Sequence, residues 1–312
     1  MRALPHEEAG RSAGVHPAHR GSIFLEDGQV VSQEAWPGEQ FVLRIAAPKC
    51  AARALPGSFV HLTCDPDVPM RRPLSIQRVD AKEGWIEILY KIVGPGLRAL
   101  SRRRAGDSIS ILGPIGQPFR PDPKRPRALL VGGGVGIPPM VFLAEWMLDP
   151  QPDGLAGRPW KPLVLMGSEI PFPFKSRPST ILVPGIPAGS IAAMPLLDGW
   201  GVPSRLASKA GFPGCYDGFV TQLADEWLGS LDAAAKAEVE VFTCGPTPML
   251  EAMAKVAAKH GVPCQVSLEE FMACAVGGCA GCAVRVQTPA GPAMKRVCVD
   301  GPVFDAQAVF TA

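Results

Sequence analysis

The stretch ALLVGGGVGIPPMVFLAEWML, Ala128–Leu148, reads as three pieces in order. Ala128–Val131 is an unbroken apolar run, as expected of a strand buried on both faces. Gly132, Gly133, Gly134 and Gly136 form a turn whose backbone can approach a neighbour closely. Pro138 and Pro139 fall where a helix begins, because proline suits the first helical turn. Strand, glycine turn and helix in that order is the context of a dinucleotide phosphate turn in a parallel α/β sheet. The turn is not a clean G-x-G-x-x-G, since the two prolines stand where the third glycine belongs, and a tight turn without a ligand is the competing reading. The uncharged run Ala128–Ala144 is short for a membrane span and is interrupted by glycine and proline.

Downstream, PLVLMGSE (Pro162–Glu169) is a second buried strand and VTQLADEWLGSL (Val220–Leu231) has helical spacing. Ala237–Gly261, AEVEVFTCGPTPMLEAMAKVAAKHG, is strand, turn and helix. Strands alternating with helices predict a doubly wound α/β domain. Cys244 and Gly245 sit at the C-terminal end of a strand, where open sheets place their ligands. Cys244 there is either a neighbour of a nicotinamide ring or a small buried hydrophobe; nothing near it in sequence would activate it as a nucleophile. Pro171–Gly214 is rich in proline and glycine and too long for a structureless loop, so part of it is expected to fold against the sheet.

Upstream, PDPKRPR (Pro121–Arg127) is a charged linker. Before it, Ser22–Arg120 alternates short apolar runs with turn signals. SIFLEDGQVV (Ser22–Val31) reads as a hairpin about Asp27-Gly28. EQFVLRIAAP, GSFVHLTC, LSIQRVD, WIEILYKIV and DSISILGP read as further strands of a small antiparallel β-barrel. Arg71 and Arg72 precede Pro73-Leu74-Ser75 on one of them. An arginine beside a strand can clamp a phosphate, or the pair is plain surface charge. In LYKIVGPGLRAL (Leu89–Leu100), Gly94 and Gly96 flank a turn opening a short helix, either a pyrophosphate seat or a turn with no ligand.

The C-terminal stretch EEFMACAVGGCAGCAVRV (Glu269–Val286) holds Cys274, Cys279 and Cys282 spaced C-x4-C-x2-C, and Cys298 follows after a strand–turn–strand pattern. That spacing with a distant fourth cysteine is the plant-type 2Fe–2S pattern. Gly277, Gly278 and Gly281 keep bulky side chains away from the sulfurs. A structural zinc site or buried free thiols are the alternatives, but zinc knuckles pair symmetrically.

Composition narrows the rest. The chain has 312 residues, enough for about two domains and a small third. A formal charge of +2 points to neither nucleic acid nor an anionic membrane as partner. Nine cysteines, an odd number, with no export signal suggest a reducing, cytoplasmic setting and metal ligation rather than disulfides. The first twenty residues read as a mobile polar tail. No H-E-x-x-H, G-x-S-x-G or P-loop is present, and three of the five histidines lie in that tail, which argues against a hydrolase.

The order of these segments resembles the ferredoxin–NADP reductase superfamily. More narrowly, it is similar to the electron-transfer subunits of class 1B dihydroorotate dehydrogenases. The resemblance covers Ser22–Phe310 and is most specific in SLEEFMACAVGGCAGC and VCVDGPVF. It implies FAD held by Arg72, Pro73, Leu74, Ser75, then Leu89, Tyr90, Lys91, then Gly96 and Leu97, where Leu97 replaces the usual threonine. It implies NAD(H) or NADP(H) at Gly132, Gly133, Gly134, Gly136, Cys244 and Gly245, with Lys175 and Arg177 as candidates for meeting a 2′-phosphate. It implies a 2Fe–2S cluster on Cys274, Cys279, Cys282 and Cys298, with Ala275 where the family usually has glycine and Phe271 where arginine is common.

The expected organisation is multidomain: a tail (1–20), an FAD-binding β-barrel (21–121), an NAD(P)-binding doubly wound α/β domain (122–261) and a small 2Fe–2S module (262–312). About fifty residues remain after Gly261, too few for a complete plant-type ferredoxin domain. The expected function is an oxidoreductase subunit carrying electrons between NAD(H), FAD, the cluster and a partner flavin dehydrogenase of dihydroorotate in a hetero-oligomer, within pyrimidine synthesis. The cofactors do the chemistry, so no acid–base catalyst is expected. The alternatives are an NAD(P)H-dependent reductase for another redox partner and a non-catalytic zinc-binding module.

Overall fold

The computed structural model describes residues 22–148 and 160–310; the expected tail over 1–20 lies outside the described residues. The N-terminal part comprises β1 (Phe24–Trp36), β2 (Gln40–Ala46), α1 (Pro48–Ala51), β3 (Phe59–Leu62), β4 (Arg72–Asp80), β5 (Trp85–Lys91), α2 (Pro95–Leu100) and β6 (Ser108–Ile115). Its six strands close into a barrel in the order β1-β2-β5-β4-β3-β6. Alternate residues point inward, so Leu43, Ile45, Ile76, Ile86, Ile88 and Ile111 fill one apolar core. Each such side chain contributes on the order of 1.5–3 kcal/mol by leaving water.

The expected hairpin at Asp27-Gly28 is absent. β1 runs straight through both residues, pairing Asp27 with Ser110 and Gly28 with Ile109. Gly28 is a packing glycine, because a Cβ there would stand 2.7 Å from both the Ala46 carbonyl oxygen and Ile111 Cδ1. Barrel closure demands the missing side chain, and the local Asp-Gly signal cannot reveal that.

The second part contains β7 (Arg127–Gly133), a 3₁₀ turn (Gly134–Gly136), α3 (Ile137–Leu148), β8 (Leu163–Gly167), β9 (Arg177–Pro178), β10 (Ala192–Ala193), α4 (Pro195–Gly199), β11 (Ser204–Ser208), β12 (Tyr216–Asp217), α5 (Val220–Ser230), α6 (Ala233–Ala237), β13 (Val239–Cys244), α7 (Thr247–His260) and β14 (Cys264–Ser267). The C-terminal segment adds β15 (Ala283–Thr288), β16 (Gly291–Arg296), β17 (Val303–Asp305) and α8 (Ala306–Val309).

The large sheet runs β12-β11-β8-β7-β13-β14-β17. β17 pairs antiparallel with β14 at one edge, and the other neighbours are parallel. Both faces are covered, which explains the unbroken apolar runs. Leu129 and Val131 of β7 pack with Leu223 of α5 and Met253 of α7, while Leu130 packs on the other face with Met140 and Val141 of α3. α7 stops at Gly261, whose φ of +65° is the left-handed cap that glycine adopts freely.

The proline- and glycine-rich segment does fold against this sheet. Phe172, Met194 and Leu197 enter the α3-side core. Asp198 accepts from Ser179 Oγ at 2.7 Å and from the Thr180 amide at 3.1 Å. Buried Arg205 donates to the Ile181 carbonyl at 2.7 Å.

Candidate functional site

The strand order reverses direction between β7 and β13, so the turns after these two strands flank a switch point. They touch there: a Cβ on Gly136 would run into the Cys244 carbonyl. A cleft of about 1510 Å³ opens between this end of the sheet and the barrel.

Arg72, Pro73, Leu74, Ser75, Leu89, Tyr90, Lys91 and Leu97 line the cleft from the barrel, and Gly133 and Gly134 line it from the sheet. Gly96 stands just behind, and its missing side chain makes room for Arg72, whose Nε would be 2.9 Å from a Cβ. Gly132, Gly136, Cys244 and Gly245 form the packed floor of the switch point rather than the lining. Cys244 is buried, and burial pushes its thiol far above the ordinary range. Three cations, Arg71, Arg72 and Lys91, line a largely apolar hollow, which suits a flat ring system carrying a diphosphate.

Other lining residues come from loops whose meeting the local sequence does not show. Ser168, Glu169 and Ile170 follow β8, Phe219 precedes α5, and Glu269–Ala273 lead into the cysteine loop. Each belongs to a loop at a strand end or helix start, and only the assembled sheet brings those loops together. Lys175 and Arg177 are exposed and do not line the cleft.

The cysteine loop forms part of the same cleft wall through Met272, Ala273 and Gly281. The β15–β16 hairpin pairs Ala283 with Arg296 and carries the chain back, and the Val297 amide donates to the Cys282 carbonyl at 3.0 Å. Cys298 Sγ then lies 3.3 Å from Cys282 Sγ, both buried. The Cys279 amide donates to Cys274 Sγ and the Gly281 amide to Cys279 Sγ, each at 3.4 Å. Burial raises the Cys274 thiol, but hydrogen bonds from the backbone of Val276, Cys279 and Gly278 and from the Cys279 side chain outweigh it and bring it to about 7. Cys298 is pushed up to about 12 by burial and by its Cys282 neighbour. Among the described residues no three His, Cys, Asp or Glu side chains converge tightly enough for a single metal ion. Paired thiols from two segments, with backbone amides aimed at sulfur, fit an iron–sulfur group.

Two alanines in this loop carry left-handed backbone: Ala275 at φ +56° and Ala280 at φ +55°. Ala275 is buried, so its methyl offsets part of the strain, whereas Ala280 is exposed. Ala280→Gly should therefore raise stability by roughly 0.5–1 kcal/mol, read as a higher urea midpoint. A lower midpoint would mean that this backbone relaxes without cost.

Behind the lining, between barrel and cysteine loop, lies His61 on β3. Phe59 and His61 share the outward face of β3, while Val60 and Leu62 enter the barrel core. His61 is 0% exposed, and both ring nitrogens lack a partner. Its carbonyl accepts from Arg71 Nη1 at 3.1 Å. Burial, then the positive charge of Arg71, lower the ring to about 4, against smaller opposing contributions from the Arg71 and Met272 backbone.

Barrel, sheet and cleft together are those of the ferredoxin reductase class. The fold superposes on the NADH-dependent reduced ferredoxin–NADP oxidoreductase with a TM-score of 0.69 at 25% identity, covering 90% of this chain and 89% of that one. It also matches the ferredoxin reductase of carbazole 1,9a-dioxygenase in fold, at a TM-score of 0.58 and 20% identity over 77% of this chain and 67% of the other.

Residues 269–310 match the iron–sulfur cluster binding domain of dihydroorotate dehydrogenase B. The electron transfer subunit of dihydroorotate dehydrogenase B (NAD(+)) from Caldanaerobacter subterraneus subsp. tengcongensis is 35% identical over 255 residues, 81% of this chain and 86% of that protein. The corresponding subunit of Geobacillus thermodenitrificans is 32% identical over 289 residues, 91% and 98% of the two chains. This chain belongs to the family of dihydroorotate dehydrogenase B electron transfer subunits. Among the described residues no helix is long and apolar enough to cross a membrane.

Proposed function

We propose that this chain carries electrons between NAD(H) and a dihydroorotate-oxidising flavin subunit, within a hetero-oligomer of the cytoplasm that serves pyrimidine synthesis. One observation carries the reading: the barrel segment Arg72–Ser75, the glycine turn Gly133–Gly134 and the cysteine loop at Met272, Ala273 and Gly281 all line one cleft. Bound there, FAD would exchange a hydride with nicotinamide and single electrons with a 2Fe–2S cluster.

The chain's own part is to hold and to space. Arg72 and Lys91 would meet the diphosphate, Leu74 and Leu89 would cover the flavin ring, and Ser75 would offer its hydroxyl to the ring edge. Gly133 and Gly134 would admit the nicotinamide nucleotide, with Cys244 behind them. Cys274, Cys279, Cys282 and Cys298 would hold the cluster. In this reading the chain divides near residues 121 and 261 into flavin, nucleotide and cluster-binding parts. Glu169, at the C-terminal end of β8 and on the cleft, would accept from a ribose 2′-hydroxyl and repel a 2′-phosphate, which favours NADH over NADPH.

The test is the visible spectrum of anaerobically purified protein. Flavin and iron–sulfur bands should be present and should bleach with NADH, and much less with NADPH. A colourless protein, or bands that NADH leaves untouched, would overturn the reading.

A further inference from the structure

β4 carries Arg72–Ser75 at its start and Arg78 three residues further on. Its register against β5 shifts between Ile76, opposite Ile88, and Arg78, opposite Glu87. Such a bulge re-aims side chains. Gln77 is buried and donates to Glu87 Oε1 at 3.1 Å. Arg78 instead reaches across to α3, the helix opened by the glycine turn. Its Nε lies 3.0 and 3.2 Å from the two carboxylate oxygens of Glu145, and its Nη2 lies 2.6 Å from Oε1. The side chains are only 21% and 25% exposed.

The arginine is also flanked by two indoles. The Trp85 ring of β5 lies 5.6 Å from Arg78 Cζ and the Trp200 ring 5.1 Å. Trp200 caps α4, inside the proline- and glycine-rich segment. The other end of that segment is fastened to the barrel too: Gln40, buried, donates Nε2 to the Pro171 carbonyl at 2.7 Å. The segment is thus a strap tied to the barrel at Pro171 and again at Trp200, and Arg78 makes the second tie.

We propose that Arg78, locked by Glu145 and Trp200, is a positioning residue that fixes the separation between the flavin segment of β4 and the nucleotide turn of α3. This rests on the function proposed above. An exposed ion pair would contribute little stability and little geometry, but a partly buried arginine fork on a carboxylate fixes direction as well as distance. Hydride exchange needs the reacting atoms about 3–3.5 Å apart, and a displacement of about 1 Å can cost on the order of 100-fold in rate. None of Arg78, Glu145 and Trp200 lines the cleft, so their influence runs through geometry and not through contact with a bound group.

The test uses the flavin- and cluster-loaded protein and its Arg78→Met, Arg78→Lys, Glu145→Gln and Trp200→Leu variants. Flavin content is recorded, flavin reduction by NADH is followed by stopped flow, and the radius of gyration is measured by small-angle X-ray scattering. Arg78→Met and Glu145→Gln should keep their flavin, lose about 10-fold in the limiting rate, change apparent NADH affinity far less, and scatter as a more open particle. Arg78→Lys, which keeps the charge without the fork, should fall between. Flavin-replete Arg78→Met at the wild-type rate and radius would overturn the proposal. If Arg78→Met fails to fold, Trp200→Leu decides: slower reduction supports the strap and an unchanged rate sinks it. Should NADH fail to reduce the unsubstituted protein, the function reading falls, and an unchanged radius in Arg78→Met would separately reject the strap.

Discussion

Replacing Cys298 by Ser should leave a protein that keeps its flavin and is still reduced by NADH, yet no longer couples to its partner subunit. Cys298 comes from outside the C-x4-C-x2-C loop and is delivered by the β15–β16 hairpin to within 3.3 Å of Cys282. It is 1% exposed, so no solvent ligand can easily take its place. A serine oxygen is a hard donor and is protonated at neutral pH, whereas iron–sulfur clusters select soft thiolates. Loss of an outer-shell partner alone typically costs about 10–100-fold in metal affinity or activity, and loss of a ligand should exceed that. Iron content, the iron–sulfur bands and dihydroorotate-dependent NAD⁺ reduction with the partner subunit are the readouts. Cys215→Ser, at a half-buried thiol away from the loop, is the control that should change none of them. A Cys298→Ser protein with full iron and full coupling would remove Cys298 from the ligand set.

The second large effect concerns acid. His61 titrates at about 4 in the folded chain and near 6.5 in an unfolded one. Between those values the unfolded chain binds the extra proton, so stability falls as pH drops through this window and rises again with pH. The full penalty is reached below about pH 4 and amounts to about 3 kcal/mol, because a tenfold difference in proton affinity between the two states is worth roughly 1.4 kcal/mol. His61→Gln fills much of the same volume and cannot take up that proton. Its urea midpoint should therefore decline less than that of the unsubstituted protein between pH 7 and pH 4.5. Carboxylates titrate in both proteins, so the difference between the two curves is the quantity to read. Parallel curves would show that the ring finds a partner or gains solvent on acidification.

Much of the site was legible because its signals are local. The thiol spacing from Cys274 to Cys282 lies within nine consecutive residues, and the strand–turn–strand after it implied the return of Cys298. The glycine turn after an unbroken apolar run placed a ligand crevice at the end of β7, since only a strand covered on both faces reads that way. Ala275 stands where the family usually has glycine, and the backbone there is left-handed, with φ +56°. The Asp27-Gly28 pair misled because a glycine needed for barrel packing looks the same as a glycine needed for a turn.

Local pattern by itself therefore determined the barrel strands, the alternation of strand and helix, the glycine turn and the thiol loop, because backbone sterics and side-chain period act over a few residues. Tertiary structure alone decided the rest. It drew Glu169, Phe219 and Glu269 from three loops into one cleft, left His61 without a hydrogen-bonding partner between barrel and cysteine loop, and brought Arg78, Glu145 and Trp200 together across the two layers. Those encounters depend on barrel closure and strand order, long-range events that burial of apolar surface drives and that no short stretch of residues encodes.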